Sequence, residues 1–213
     1  MKRHRILLAD DHAIVRDGLR LMLEKDFDVV GAVDDGRKLV SEAERLHPDV
    51  ALVDISMPLL NGIEATRRLR RLSPQTKVVA LTMHADVTYA TEILEAGASG
   101  YVLKSAPSQE IKAAIRSALA GKTYVPNRMA HEIAPFLRSG PRQMKKRVSQ
   151  LTPRQREVLQ LLAEGRTGKQ IADVLCLSPR TVEFHKYSMM QQLGLHSTAE
   201  LTRYAMKHGL ISS

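Results

Sequence analysis

Five short apolar runs recur through the first half of the chain, each followed by a stretch of helical period, and that alternation leaves few folds open. The runs are RILLA (5–9), DVVGAV (28–33), VALVD (50–54), KVVALT (77–82) and GYVLK (100–104). Helical patterns fall near 13–25, 37–47, 62–72, 87–96 and 108–120. Val15, Leu19, Met22 and Leu23 carry the helical spacing in the first; Ile111, Ala114, Ile115 and Ala118 carry it in the last. A strand followed by a helix and another strand makes a parallel pair, since the helix carries the chain back across the sheet. The runs are almost wholly apolar, as strands covered on both faces must be. The expected first unit is therefore an α/β domain with a doubly wound, five-stranded parallel sheet.

The remainder reads differently. Residues 126–138 suit a short helix prolonging the first domain. Residues 139–150, SGPRQMKKRVSQ, hold Gly, Pro, Ser and four basic residues with little periodicity, which predicts an exposed linker. The last 63 residues are helical with clear punctuation. Thr152, Pro153 and Gln155 predict a capping box, Ser178 and Pro179 a second helix start, and Ser197 with Glu200 another capping box. Gly165 and Gly194 follow helices. Helix, tight turn and helix beside a basic flank is the pattern of an all-α, four-helix helix-turn-helix domain. The division expected is 1–121 for the first domain, 122–147 for a linker holding the short helix, and 148–213 for the second domain.

Charge separates the same halves. Residues 1–125 carry 18 Lys/Arg and 17 Asp/Glu, and residues 126–213 carry 14 and 6, so net charges of +1 and +8. An excess confined to one part suggests an acidic partner there, most simply nucleic acid. Cys176 is the sole cysteine, which excludes an internal disulfide and a cysteine metal cluster. No apolar run approaches the ~20 residues that span a bilayer. The start, MKRHRILLADD, meets two aspartates too early for a signal peptide and reads as a first strand of a cytoplasmic protein.

In a doubly wound sheet the carboxyl ends of the strands converge on the ligand site. Asp10 and Asp11 end the first strand, Asp54 the third, Thr82 the fourth and Lys104 the fifth. Three clustered carboxylates repel unless a cation sits among them, and hard oxygen donors favour Mg²⁺, which keeps waters for phosphate oxygens. Lys104 can neutralise a phosphoryl group and the Thr82 hydroxyl can donate to it. An aspartate can itself accept the phosphoryl group. Asp54, isolated on the central strand, is the expected acceptor, with Asp10 and Asp11 paired for metal. His12 and His84 lie near this rim and read as solvated side chains rather than ligands.

With ADD, LVDISMP, NGIEATR, ALTMH and GYVLK in place, residues 5 to about 121 resemble the receiver domains of two-component response regulators, a flavodoxin-like fold. The resemblance implies phosphorylation of Asp54 by a histidine kinase and metal held by Asp10, Asp11, Asp54 and the Ser56 carbonyl. It also implies Thr82 and Tyr101 as switch residues. The Thr82 hydroxyl would turn toward the phosphoryl group and Tyr101 would move inward, changing the surface of the fourth helix and fifth strand. Ser105 stands where the family usually has proline, and Met83 where many members have a small residue that leaves phosphoryl access open. Two rival readings are a phosphoaspartyl hydrolase, which lacks a second carboxylate at position 56, and a pseudo-receiver controlled by protein binding alone.

Residues from about 148 to 211 resemble the LuxR-type helix-turn-helix of NarL/FixJ response regulators. Val158, Leu159 and Leu162 are expected to pack on Ile171, Ala172 and Leu175, with Val182, Met189 and Leu193 anchoring the third helix. The resemblance makes 179–193 the recognition helix. Its outward candidates are Arg180, Thr181, Glu183, Phe184, Lys186 and Tyr187, while Lys169 and Gln170 are placed to meet phosphates. Glu183 either accepts from cytosine N4 in the major groove or pairs with Arg180 and orients it. The expected protein is a transcription factor and not an enzyme: it binds double-stranded DNA and forms a homodimer when phosphorylated.

Overall fold

The computed structural model describes residues 3–83, 85, 87–138 and 151–211. Strands β1 (Arg5–Ala9), β2 (Asp28–Val33), β3 (Val50–Asp54), β4 (Lys77–Thr82) and β5 (Gly100–Leu103) alternate with helices α1 (Ala13–Leu23), α2 (Gly36–Leu46), α3 (Gly62–Leu72), α4 (Val87–Ala96) and α5 (Ser108–Leu119). All pairs are parallel and the order is β2-β1-β3-β4-β5. The order reverses between β1 and β3, which puts the switch point at the ends of those two strands. Every residue of β3 is buried. One apolar cluster, including Leu7, Val53 and Ile63, lies on one face, and another, including Ile6, Leu52 and Ile115, on the other. The doubly covered sheet expected from the apolar runs is what the chain forms.

Helix α6 (Asn127–Arg138) packs on α4 and contributes Met129 and Ile133 to the cluster that holds Tyr101, Ala90 and Ile93. The linker expected over 139–150 lies outside the described residues. Four further helices follow: α7 (Pro153–Ala163), α8 (Gly168–Leu175), α9 (Pro179–Leu193) and α10 (Thr198–Lys207). Their own core joins Val158, Leu159, Ile171, Ala172, Leu175, Val182 and Met189, with Leu162 and Leu193 at its edge. Thr152 and Gln155 form the expected capping box, and Ser178 caps α9 behind Pro179. At α10 the reciprocal bond differs from expectation. Ser197 accepts from the Glu200 amide, but the Glu200 carboxylate accepts from the His196 amide, 2.6 Å away, instead of that of Ser197. Among the described residues, no helix is long and apolar enough to cross a membrane.

The helical half docks on the sheet half through polar side chains. Arg156 of α7 meets Glu64 of α3 at 2.5 Å with both side chains buried, and Glu157 pairs with Arg68. At the other end of the contact, Gly209 has φ +61, and a Cβ there would lie 2.1 Å from the Tyr89 ring of α4. Only glycine combines that left-handed backbone with so close an approach. Glu92 of α4 is buried beside this seam, near Arg67, Arg156, Glu95, Glu64 and Tyr204. Burial pushes its carboxyl up to about 7, against the pull of Arg67 and Arg156.

Two tests follow from the packing. A Cβ on Gly62 would stand 2.2 Å from the Asp54 carbonyl oxygen, so Gly62→Ala forces α3 off the end of β3. We expect a loss of about 1–3 kcal/mol or more in chemical denaturation, the scale of an overpacked core. The second concerns pH. Glu92 binds its proton more tightly in the folded chain than at the ordinary 4.5. The stability this lends is therefore full below pH 4.5 and lost as pH rises through about 7. Glu92→Gln stays neutral, so its stability relative to wild type should climb between pH 5 and 8 by about 1–3 kcal/mol. Parallel denaturation curves for the two proteins at each pH measure it.

Candidate functional site

The strand ends bring together the residues expected there. Asp10 and Asp54 are buried, as is Thr82, while Asp11 is exposed at the rim. The Lys104 ammonium lies 2.7 Å from Asp54 Oδ2 and 2.7 Å from Asp10 Oδ2. It donates a hydrogen bond to Asp54. Toward Asp10 the approach is that of an ion pair off the hydrogen-bonding direction, which leaves Asp10 Oδ2 a buried oxygen without a donor. Register puts these groups in place: Thr82 pairs with Leu103, and the Lys104 amide donates to the Thr82 carbonyl at 2.7 Å. The Ser56 amide donates to Asp54 Oδ1 at 3.3 Å and steadies that carboxylate. The Lys104–Ser105 peptide bond is trans.

Burial pushes the Asp54 carboxyl above its usual range, with Lys104 opposing and Asp10 reinforcing the rise. Burial alone would lower the Lys104 ammonium, but Asp54 and Asp10 outweigh it and hold the group above its ordinary value. Donor atoms of Asp10, Asp11, His12 and Asp54 all lie within 4.8 Å of one another. Three carboxylates around one ammonium leave a negative excess, and the donor set is hard oxygen with one buried oxygen lacking a donor. Such a cluster could hold a divalent cation. His12 joins it more closely than expected: its Nδ1 lies 2.7 Å from Asp11 Oδ1, although the side chain is 60% exposed. His84 lies outside the described residues. Met83 is 70% exposed. Tyr101 differs from the expectation of a side chain with room to move inward, for it is already fully buried in the cluster that α6 closes.

The rim opens into a cleft of about 320 Å³ whose other wall belongs to the helical half. Asp11, Ser56, Met57 and Pro58 face Ala163, Glu164, Met206 and Ile211 across it. Gln160 of α7 reaches the same loop: it donates to the Met57 carbonyl at 2.8 Å and accepts from the Asn61 amide at 2.9 Å. Sequence reasoning missed this contact. A polar strip at 156, 157, 160 and 164 on a helix whose other side is apolar reads as a solvated face, and nothing local marks it as buried.

On α9, Arg180, Glu183, Phe184 and Tyr187 recur at helical spacing and all are exposed, Phe184 at 68% and Tyr187 at 63%. Thr181 is tied into the Ser178 cap through amide and hydroxyl. Glu183 lies 3.7 Å from Lys186 Nζ, so the ion pair formed is with Lys186 at i+3 and not the one considered with Arg180. Lys169 and Gln170 are exposed at the start of α8. The Gln170 carbonyl oxygen is engaged in a capping box with Thr167. The T-x-x-Q spacing that marks Thr152 and Gln155 was present there too.

Two family models match the chain: the response regulator receiver domain over residues 6–116 and the bacterial regulatory proteins of the luxR family over residues 149–205. Response regulator UvrY of Escherichia coli is 35% identical over 210 residues, covering 98% of this chain and 96% of that protein. Response regulator GacA of Pseudomonas aeruginosa is 36% identical over 212 residues, with 98% of each chain covered. Among solved structures, RcsB of Salmonella enterica serovar Typhimurium bound to promoter P1flhDC in the presence of phosphomimetic BeF3− is similar, with a TM-score of 0.65 and 27% identity over 97% of this chain and 100% of that one. With an acid pocket at the switch point and a capped helix-turn-helix behind it, this chain belongs to the two-component response regulators of the NarL/FixJ type, carrying a receiver and a LuxR-type DNA-binding domain.

Proposed function

We propose that this protein is a cytoplasmic transcription factor switched by phosphorylation of Asp54 and acting on double-stranded DNA. The observation that carries the reading is the Lys104 ammonium held 2.7 Å from both Asp54 and Asp10 in a buried pocket. The donor is a histidine kinase. One Asp54 carboxylate oxygen forms a bond to phosphorus as the phosphorus–nitrogen bond of phosphohistidine breaks, and the electron pair leaves with the imidazole. Lys104 then turns from the carboxylates to the phosphoryl oxygens, and the Thr82 hydroxyl donates to another. Asp10, Asp11, Asp54 and the Ser56 carbonyl would hold Mg²⁺, which would supply positive charge to those oxygens. Position 56 is serine, so no second carboxylate is placed to activate water, which favours a lasting phosphoryl group over turnover. Residues 1–121 form the receiver, 122–147 the connection and 148–213 the DNA-binding domain.

Arg180, Thr181, Glu183, Phe184, Lys186 and Tyr187 of α9 present the reading face, with Thr181 also serving the cap. Phe184 is exposed rather than packed, which favours an apolar base contact such as a thymine methyl. Lys169 and Gln170 meet the backbone. A phosphorylated homodimer would set two such faces on one site. Thr82 and Tyr101 report the phosphoryl group, and because Tyr101 is already buried, the change they transmit runs through the α4–α6 packing.

Two measurements test this. Incubation with acetyl phosphate and Mg²⁺ should add one phosphoryl mass to the wild type and none to Asp54→Asn, and Asp10→Ala with Asp11→Ala should weaken Mg²⁺ binding. Full labelling of Asp54→Asn sinks the assignment. For DNA, about 3–4 phosphate contacts per monomer predict that a dimer's log affinity falls against log salt with a slope of about −5 to −7. Lys169→Ala and Lys186→Ala should each weaken all sequences alike and flatten that slope by about 1. Losses confined to one sequence would move those lysines from backbone to base contact.

A further inference from the structure

Helix α7 shows its own domain an apolar side and the receiver a polar one. Arg156, Glu157, Gln160 and Glu164 share that polar side. Arg156 and Glu157 grip α3, through Glu64 and Arg68. Gln160, 1% exposed, grips the loop that leaves Asp54. An amide side chain offers a donor and an acceptor together, as a peptide unit does. Gln160 uses both, giving its N–H to the Met57 carbonyl at 2.8 Å and taking the Asn61 N–H at 2.9 Å. Its nitrogen also donates to Glu164 Oε1 at 2.8 Å, and that oxygen accepts from the Leu59 amide at 3.1 Å. Three backbone groups within residues 57–61 are thus held by two side chains from the DNA-binding domain. The middle one, Leu59, has φ +66, a conformation leucine disfavours, and its side chain lies against the core of that domain.

We propose that Gln160 is a positioning residue for the chemistry at Asp54: by clamping residues 57–61 it fixes the Ser56 peptide and, through it, the Asp54 carboxylate. The inference rests on Asp54 as the phosphoacceptor. The Ser56 amide already donates to Asp54 Oδ1, so a shift of the loop is felt at the carboxylate within three residues. A phosphoryl group adds bulk and about −1.5 to −2 charge at that point, which the loop must accommodate. Pinned at Met57 and Asn61, it resists. The coupling is reciprocal: the factor by which the clamp weakens phosphoryl binding is the factor by which a phosphoryl group weakens the clamp.

The test uses the full chain and beryllofluoride with Mg²⁺ as the phosphoryl mimic. Gln160→Ala should bind it about tenfold tighter than wild type, the scale of one or two neutral hydrogen bonds. Gln160→Glu keeps the size of the side chain and the bond from Asn61 but cannot donate to Met57, and should gain about threefold; it also serves if the alanine variant folds poorly. In the absence of cation and mimic, Gln160→Ala should shift the amide resonances of Asp54 and Ser56, which a contact that merely joined two domains would leave in place. Equal affinities in wild type and both variants, or unmoved Asp54 and Ser56 signals, overturn the positioning role while leaving the phosphoacceptor standing. Failure of the wild type itself to bind beryllofluoride overturns both.

Discussion

An ammonium shared between two buried carboxylates organises this molecule. Lys104 stands 2.7 Å from both Asp10 and Asp54, and each belongs to a different strand. Burying any one of these charges alone would cost several kcal/mol. Together they are tolerable, and only because β1, β3 and β5 end at a common level. The sheet register is therefore also an electrostatic constraint. With Asp11 added, the carboxylates outnumber the ammonium, so the pocket is incomplete by about one divalent charge. A site short of positive charge and holding a movable lysine is ready for a cation and an anion to arrive together.

The same economy governs the seam between the halves. It is built from Arg156 with Glu64, Glu157 with Arg68 and Arg154, Gln160 and Glu164 with backbone, and a Tyr89 ring pressed on Gly209. Buried ion pairs of this kind add little net stability over apolar packing, yet breaking one leaves a costly unpaired charge. An interface made this way specifies a single docked arrangement without being strong. That suits two domains which must part under a modest change in free energy.

Much of this was legible in the sequence, for physical reasons that can be named. The five strands stand out because both faces of the sheet are covered, which demands unbroken apolar runs, as in VALVD. The acid pocket is legible because strand ends in such a sheet converge, so Asp10, Asp54, Thr82 and Lys104 must meet. Thr152 and Ser178 announce their helices by cap chemistry. What was hidden is what depends on pairing between distant surfaces. Gln160 and Arg156 look like solvated residues until α3 and the acceptor loop are laid against them. Tyr101 has the same face in any strand of this type, and only α6 decides that it is fully enclosed. Gln170 was readable as a cap from its spacing with Thr167, and its carbonyl oxygen serves the fold before it serves any ligand.

The docked arrangement leaves α9 facing outward. Phe184 and Tyr187 are open to solvent while α7 meets the receiver and Tyr89 of α4 reaches the Lys207 carbonyl at the end of α10. Docking thus does not hide the reading face, and a single unphosphorylated copy is free to touch a duplex through its basic surface. Contact of that sort is brief and indifferent to sequence, because it draws on phosphates alone. In such a design the unphosphorylated chain searches and the phosphorylated pair stays. The signal then acts less on whether the protein meets DNA than on how long it remains at one address.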